Sequence, residues 1–187
     1  MAGPRDAFDD VLHAARAGAE WAWARIYADL APKVVGYLRG HGAGDPEDVA
    51  GEVFLQVVRA LPTFSGGERE FRAWVFTIAH RRLVDDLRRR GRRPVDAAST
   101  ETVELAAGAG GDVPGDAEEQ MADAAVRAAI ADLAPDQRAV MLLRIIGDLT
   151  IEEIARALGK RPGAVKALQR RALLKLEGAC PFGAGQR

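Results

Sequence analysis

Cysteine is nearly missing from this chain: Cys180 is the only one in 187 residues, which excludes an internal disulfide. Histidine is almost as scarce. His13, His41 and His80 are the only three, too scattered to read as a metal-ligand set, so no metal or other cofactor is expected. No stretch approaches the roughly 20 apolar residues that span a bilayer. The opening MAGPRDAFDDVLHAARAG lacks the basic and apolar regions of a signal peptide, and a cytoplasmic protein without membrane insertion is expected. There is no phosphate-cradling glycine loop and no recognisable pairing of nucleophile with base, so an enzyme finds little support.

Apolar residues, in contrast, are plentiful at 48%, enough for one or two modest cores. The net charge of −1 conceals a segregation. Seven arginines crowd RRLVDDLRRRGRRP, Arg81 to Pro94. Eight acidic residues and no Lys or Arg lie between Val95 and Val126, and seven Lys or Arg with no acid lie between Ile154 and Leu176. Basic, acidic and basic blocks in succession point to polyanion-binding modules separated by a segment that does not bind the same polyanion. Arginines also gather in last helical turns because they complement the helix dipole, and the first basic run taken alone reads sooner as a solvated helix end.

The periodicity predicts an all-α chain of two small helical domains, 20–92 and 117–178, joined by a flexible acidic linker over 93–116. In the first domain a helical pattern begins near Glu20 and breaks at Pro32 and again at GHGAG. A second helix starts at Asp45-Pro46 and runs to about Leu61. Val49, Val53, Phe54, Val57 and Leu61 form its buried side, and Asp48, Glu52 and Gln56 lie opposite. After a loop over 63–70, a long helix begins at Phe71. Its later half sets Leu83, Val84 and Leu87 on one side and a stripe of Arg81, Arg82, Arg88 and Arg89 on another, with Asp85 and Asp86 close enough to pair with some of these. The helical spacing of Phe71, Trp74 and Phe76 assigns them to the core before any role as stacking platforms.

The last domain reads as four helices. Its sharpest feature is LTIEEIARALGKRPGAVKALQRRALLKL. Thr150 and Glu153 form a capping box, Gly159 ends the short helix, and Pro162 opens the next. Ile151, Ile154, Ala155 and Leu158 supply a face for Val165, Leu168, Ala172 and Leu176. This is a helix-turn-helix, whose second helix enters a DNA major groove. Its outward side offers Lys166, Ala167, Arg170 and Arg171, with Arg161 at the helix start where phosphate is bound. A helical hairpin with a basic exterior is the plainer alternative.

A basic helix end in the first domain and a helix-turn-helix in the second resemble an extracytoplasmic-function sigma factor, the small two-domain class of bacterial sigma factor. The resemblance spans about Glu20 to Gly178. It implies a transcription initiation factor that binds core RNA polymerase, reads minus-35 and minus-ten promoter elements and promotes DNA melting. By resemblance, Asp48, Glu52 and Gln56 would meet the clamp helices of the beta-prime subunit, and the second domain would meet the beta flap. The loop and His80, Arg81, Arg82, Arg88 and Arg89 would serve the minus-ten element and the melted strand. Arg161, Lys166, Ala167, Arg170 and Arg171 would serve the minus-35 element. The linker would thread polymerase channels, and an anti-sigma factor would control the chain. Ala167 and Leu168 stand where many relatives carry Ser and Arg, and Arg161 replaces a small polar cap, so the promoter sequence does not transfer. A stand-alone regulator that dimerises through its first domain is the competing function. Cys180 reads as an incidental thiol.

Overall fold

The computed structural model describes residues 4–92 and 125–179, all of them helix or short connection. The expected linker, 93–116, and Cys180 lie outside the described residues. Among the described residues there is no strand and no helix long and apolar enough to cross a membrane.

The first helix, α1 (Pro4–Arg16), precedes the boundary expected at residue 20. Phe8, Val11, Leu12 and Ala15 follow the i, i+3, i+4, i+7 pattern of an amphipathic face, and the last three are buried. A turn through Gly18, at φ 82°, leads to α2 (Glu20–Gly40). The break expected at Pro32 does not occur: α2 runs through it. Proline removes one backbone donor from a helix, but Pro32 and Ala28, whose carbonyl loses that donor, are both exposed, on a side of the helix where solvent can take its place.

Helix α3 (Pro46–Ala60) begins as the sequence indicates, the Asp45 carboxylate accepting the Asp48 amide at 2.9 Å. It ends in a 3-10 turn over Leu61–Thr63. Helix α4 (Glu68–Arg92) starts a turn earlier than expected, since Glu70 reaches back to accept the Gly67 amide at 3.1 Å and supplies a cap. Tyr37, Leu38, Val53, Val57, Phe71 and Phe76 fill the space between α2, α3 and α4.

Among the described residues the second half contains four helices, as expected: α5 over 125–131, α6 (Pro135–Ile145), α7 (Ile151–Leu158) and α8 (Pro162–Ala179). Leu133, Met141 and Ala172 make a small cluster of their own, against which Leu176 packs. Val140, Leu142, Leu143, Leu149, Ile154 and Val165 instead belong to the same apolar cluster as the first half. The two halves therefore share a core, with α7 against α4 and α6 against α2.

Small residues let the backbones approach along this seam. A Cβ on Gly40 would lie 2.8 Å from Leu142 Cδ1, and one on Gly147 would lie 2.7 Å from the Leu143 carbonyl and 3.4 Å from the Phe76 ring. Two ion pairs cross the seam, Arg69–Glu153 at 3.2 Å and Arg72–Asp148 at 3.6 Å.

Candidate nucleic-acid interface

Helices α7 and α8 form the helix-turn-helix from local chemistry alone. The Thr150 hydroxyl accepts the Glu153 amide at 3.3 Å, and Glu153 Oε2 accepts the Thr150 amide at 2.7 Å. This reciprocal cap satisfies donors that a free helix start leaves unpaired. Gly159 then turns the chain at φ 63°, a conformation glycine adopts without steric cost, and its amide and that of Lys160 close onto carbonyls of α7. Ile154 and Val165 are fully buried where the two helices meet. On the opposite side of α8, Lys166, Arg170 and Arg171 are exposed, as is Arg161 just before it, and Ala167 is half-buried beside them. The residues expected to read DNA thus share one outward surface.

Glu153 is itself buried, and its carboxyl is held below the ordinary glutamate range. Desolvation opposes that shift and is outweighed by the hydrogen bonds from Thr150 and the pairing with Arg69.

A recess of about 370 Å³ opens beneath the loop between α3 and α4. Thr63, Phe64, Ser65, Trp74 and Thr77 line it from the first half, and Glu153 and Arg156 line it from α7. Phe64 stacks on Trp74, with ring centroids 5.0 Å apart and planes 29° apart, and meets Phe71 edge-on at 5.4 Å. Phe71 and Phe76 are core residues, as their spacing indicates, whereas Trp74 is half-buried at the recess. Arg16 of α1 donates to the Phe64 carbonyl at 2.8 Å. Sequence reasoning missed α1 and Arg16, although the amphipathic spacing of Phe8, Val11, Leu12 and Ala15 was legible.

The arginine stripe separates into two groups. Arg82, expected at the minus-ten element, donates to Gln56 Oε1 at 3.0 Å and to Glu52 Oε2 at 3.4 Å, two residues expected to meet polymerase. Arg90 pairs with Asp86 at 3.1 Å, and Arg88 lies 3.9 Å from Asp85. Arg81 and Arg89 are exposed, and no ion pair is found for either among the described residues. Asp48 is exposed on α3, with Glu52 and Gln56 half-buried along the same side.

His80 does not join the exposed stripe. It is half-buried, with Nδ1 2.8 Å from the Tyr37 hydroxyl. Burial lowers its pKa, opposed by Asp136 and aided by Lys160, both from the second half. His41 lies nearby, its ring 4.8 Å from that of Tyr37 and its Nε2 buried without a partner. Burial first, then His80 and Arg138, push His41 down to about 4. Among the described residues no cluster of His, Cys, Asp and Glu could hold a metal ion.

Two family models match the chain: Sigma-70 region 2 over residues 25–93 and Sigma-70, region 4 over residues 123–176. The chain is 33% identical over 178 residues to the ECF RNA polymerase sigma factor BldN of Streptomyces coelicolor, covering 92% of this chain and 65%, just under two thirds, of that protein. It is also 33% identical over 188 residues to the ECF RNA polymerase sigma factor SigD of Mycobacterium tuberculosis, covering 95% of this chain and 84% of that one. A solved fold similar to this one is that of the sigma factor RpoE in a co-crystal with the anti-sigma factor NepR from Bartonella quintana. The TM-score is 0.67 and the identity 20%, over 87% of this chain and 98% of that one.

Proposed function

Because the chain belongs to the extracytoplasmic-function RNA polymerase sigma factors, we propose that its two halves divide promoter recognition and opening between them as follows. The chain is an alternative sigma factor, a dissociable subunit of RNA polymerase that directs the start of transcription and is not itself an enzyme. Helix α8 enters the major groove of the minus-35 element. Lys166 and Arg170 face the bases, and Arg161 and Arg171 hold phosphate. The observation that carries this reading is the helix-turn-helix itself: the Thr150–Glu153 cap and the Gly159 turn fix the angle at which an exposed basic helix is offered.

The first half acts at the minus-ten element. Opening a duplex takes a base out of its stack, at a cost of a few kcal/mol that a receiving pocket must offset. The recess at Phe64 and Trp74 has the size and the aromatic wall for one base. Arg81 and Arg89 are the cations of the stripe most available to the displaced strand. Arg88 is weakly held by Asp85, Arg82 serves chiefly to tie α4 to α3, and His80 acts from within as a structural residue.

Asp48 and the neighbouring Glu52 and Gln56 present the acidic side that docks on the beta-prime clamp helices, and the second half meets the beta flap. The acid-rich segment over 93–116, outside the described residues, passes through polymerase channels. The halves, bounded near 92 and 117, work as separate modules once polymerase holds them. An anti-sigma factor is the proposed controller and the cytoplasm the proposed location.

Permanganate footprinting tests the reading. Run-off transcription with host core polymerase on genomic DNA selects a template. Footprints with core alone, chain alone and both should show reactive thymines near the minus-ten position only with both. Tight, specific protection of duplex DNA by the chain alone, with no added reactivity from polymerase, would make it a stand-alone regulator instead.

A further inference from the structure

Helix α1 lies outside the stretch matched by the region 2 family model, which begins at residue 25, yet it touches the loop that walls the recess. Packing holds it in place. Val11, Leu12 and Ala15 are buried, Phe8 lies 5.7 Å from Phe71, and Trp23 Nε1 donates to the Ala15 carbonyl at 3.1 Å. That last bond anchors the final turn of α1, the turn that carries Arg16.

From there the Arg16 guanidinium reaches the Phe64 carbonyl at 2.8 Å. Phe64 is the first extended residue after the 3-10 turn, at φ −73° and ψ 136°, and its ring forms the aromatic wall of the recess. The other shoulder of the loop is held by Glu70, whose carboxylate accepts the Gly67 amide. Between these two ties lie Ser65 and Gly66, both exposed, with Gly66 at φ 144°. The loop is therefore a short span clamped at both ends, and one clamp comes from α1.

We propose that Arg16 is a positioning residue for strand capture: by fixing the Phe64 carbonyl it sets the orientation of the Phe64–Trp74 wall against which a base freed from the promoter is held. This rests on the sigma-factor reading above. A charged donor suits the task because its bond to a carbonyl is shorter and stronger than a neutral one. Arg16 need not touch DNA; its effect passes through Phe64.

The test uses the full chain with host core polymerase and the template selected by run-off transcription. Four versions of that template differ in one base pair at the upstream edge of the opened region. R16A should lower open-complex formation on the preferred template about 3- to 10-fold, the span of one charged hydrogen bond weakened by its exposure to solvent. It should also shrink the preference among the four bases by a similar factor, while core binding stays as in the parent and the thermal midpoint falls by no more than the loss of one exposed hydrogen bond allows. R16K, which keeps a donor, should restore most of both. A merely structural role would lower all four templates alike. An unchanged preference among the bases therefore overturns the role of Arg16, whatever happens to the total. If the parent chain itself opens no template with core, the sigma-factor reading fails first and this inference falls with it.

Discussion

Arg69 and Glu153, 84 positions apart in sequence, meet at 3.2 Å across the seam between the two halves. The pair is asymmetric: Arg69 is 61% exposed and Glu153 only 6%. The glutamate also caps α7, so its removal takes away a helix cap and strands the half-buried Thr150 amide, whereas removal of the arginine breaks only a half-solvated ion pair. E153A should lower unfolding stability by about 1–3 kcal/mol, and R69A by about 0–1 kcal/mol. Urea denaturation of both single variants and the double variant measures the coupling.

Acidification should loosen the same region. His41 and His80 have lowered pKa values in the fold, so the unfolded chain binds more protons than the folded one below the ordinary histidine value of 6.5. Stability is complete above that value and falls as pH drops from 6.5 toward about 4, by up to about 3 kcal/mol for His41. Glu153, with a lowered pKa, adds a loss only below 4.5. H41F keeps an aromatic ring against Tyr37 and removes the titration. Denaturant midpoints between pH 7 and pH 5 should fall less steeply for H41F than for the parent.

Substitution of Lys166 and Arg170 with alanine should weaken promoter binding by the holoenzyme and leave binding to core intact. If both cations neutralise phosphate, the slope of log affinity against log salt becomes shallower by about 2. If instead they bond base edges, the loss concentrates on certain promoter sequences, at about 1–3 kcal/mol each. A salt titration of fluorescence anisotropy on several templates separates the two. Unchanged affinity on all of them would remove α8 from recognition.

The arginine stripe should divide by variant as it divides by contact. R82A breaks the links to Glu52 and Gln56 and should cost about 1 kcal/mol of stability. R81A and R89A should stay within about 0.5 kcal/mol of the parent and should lower promoter binding. Thermal melts paired with promoter binding for the three variants decide this.

For the acidic side of α3, D48K is the cleaner probe, because E52K also places like charge beside Arg82. D48K should weaken assembly with core polymerase in a size-exclusion or fluorescence titration and leave the fold intact. Normal assembly would mean that Asp48 is only solvated surface.

Sequence patterns revealed most of the local structure because local chemistry specifies it. The Asp45 cap, the Thr150–Glu153 box and the Gly159 turn depend on residues within a few positions of one another. The break expected at Pro32 failed because the cost of a proline depends on which side of the helix faces water, which tertiary structure decides. The shared core escaped notice for a related reason: Leu142 and Ile154 have the same spacing whether they face their own half or the other. His80 adjoins a run of arginines in sequence yet points toward Tyr37, since the side chains of consecutive helical residues diverge. The links from Arg82 to Gln56 and from Arg16 to Phe64 join distant segments through single side chains, and no periodicity encodes them.

Helix α7 faces two ways. It is the scaffold of the helix-turn-helix, and its Glu153 and Arg156 reach the recess beside Phe64 and Trp74. While α7 rests against α4, a tilt of α7 and α8 together would carry Glu153 and Arg156 with it and so reshape that recess. If a duplex on α8 changes the affinity of the recess for a base, a base in the recess must change the affinity of α8 for the duplex by the same factor. In that state the chain would behave as one coupled instrument, and parting the halves would make the two grips independent.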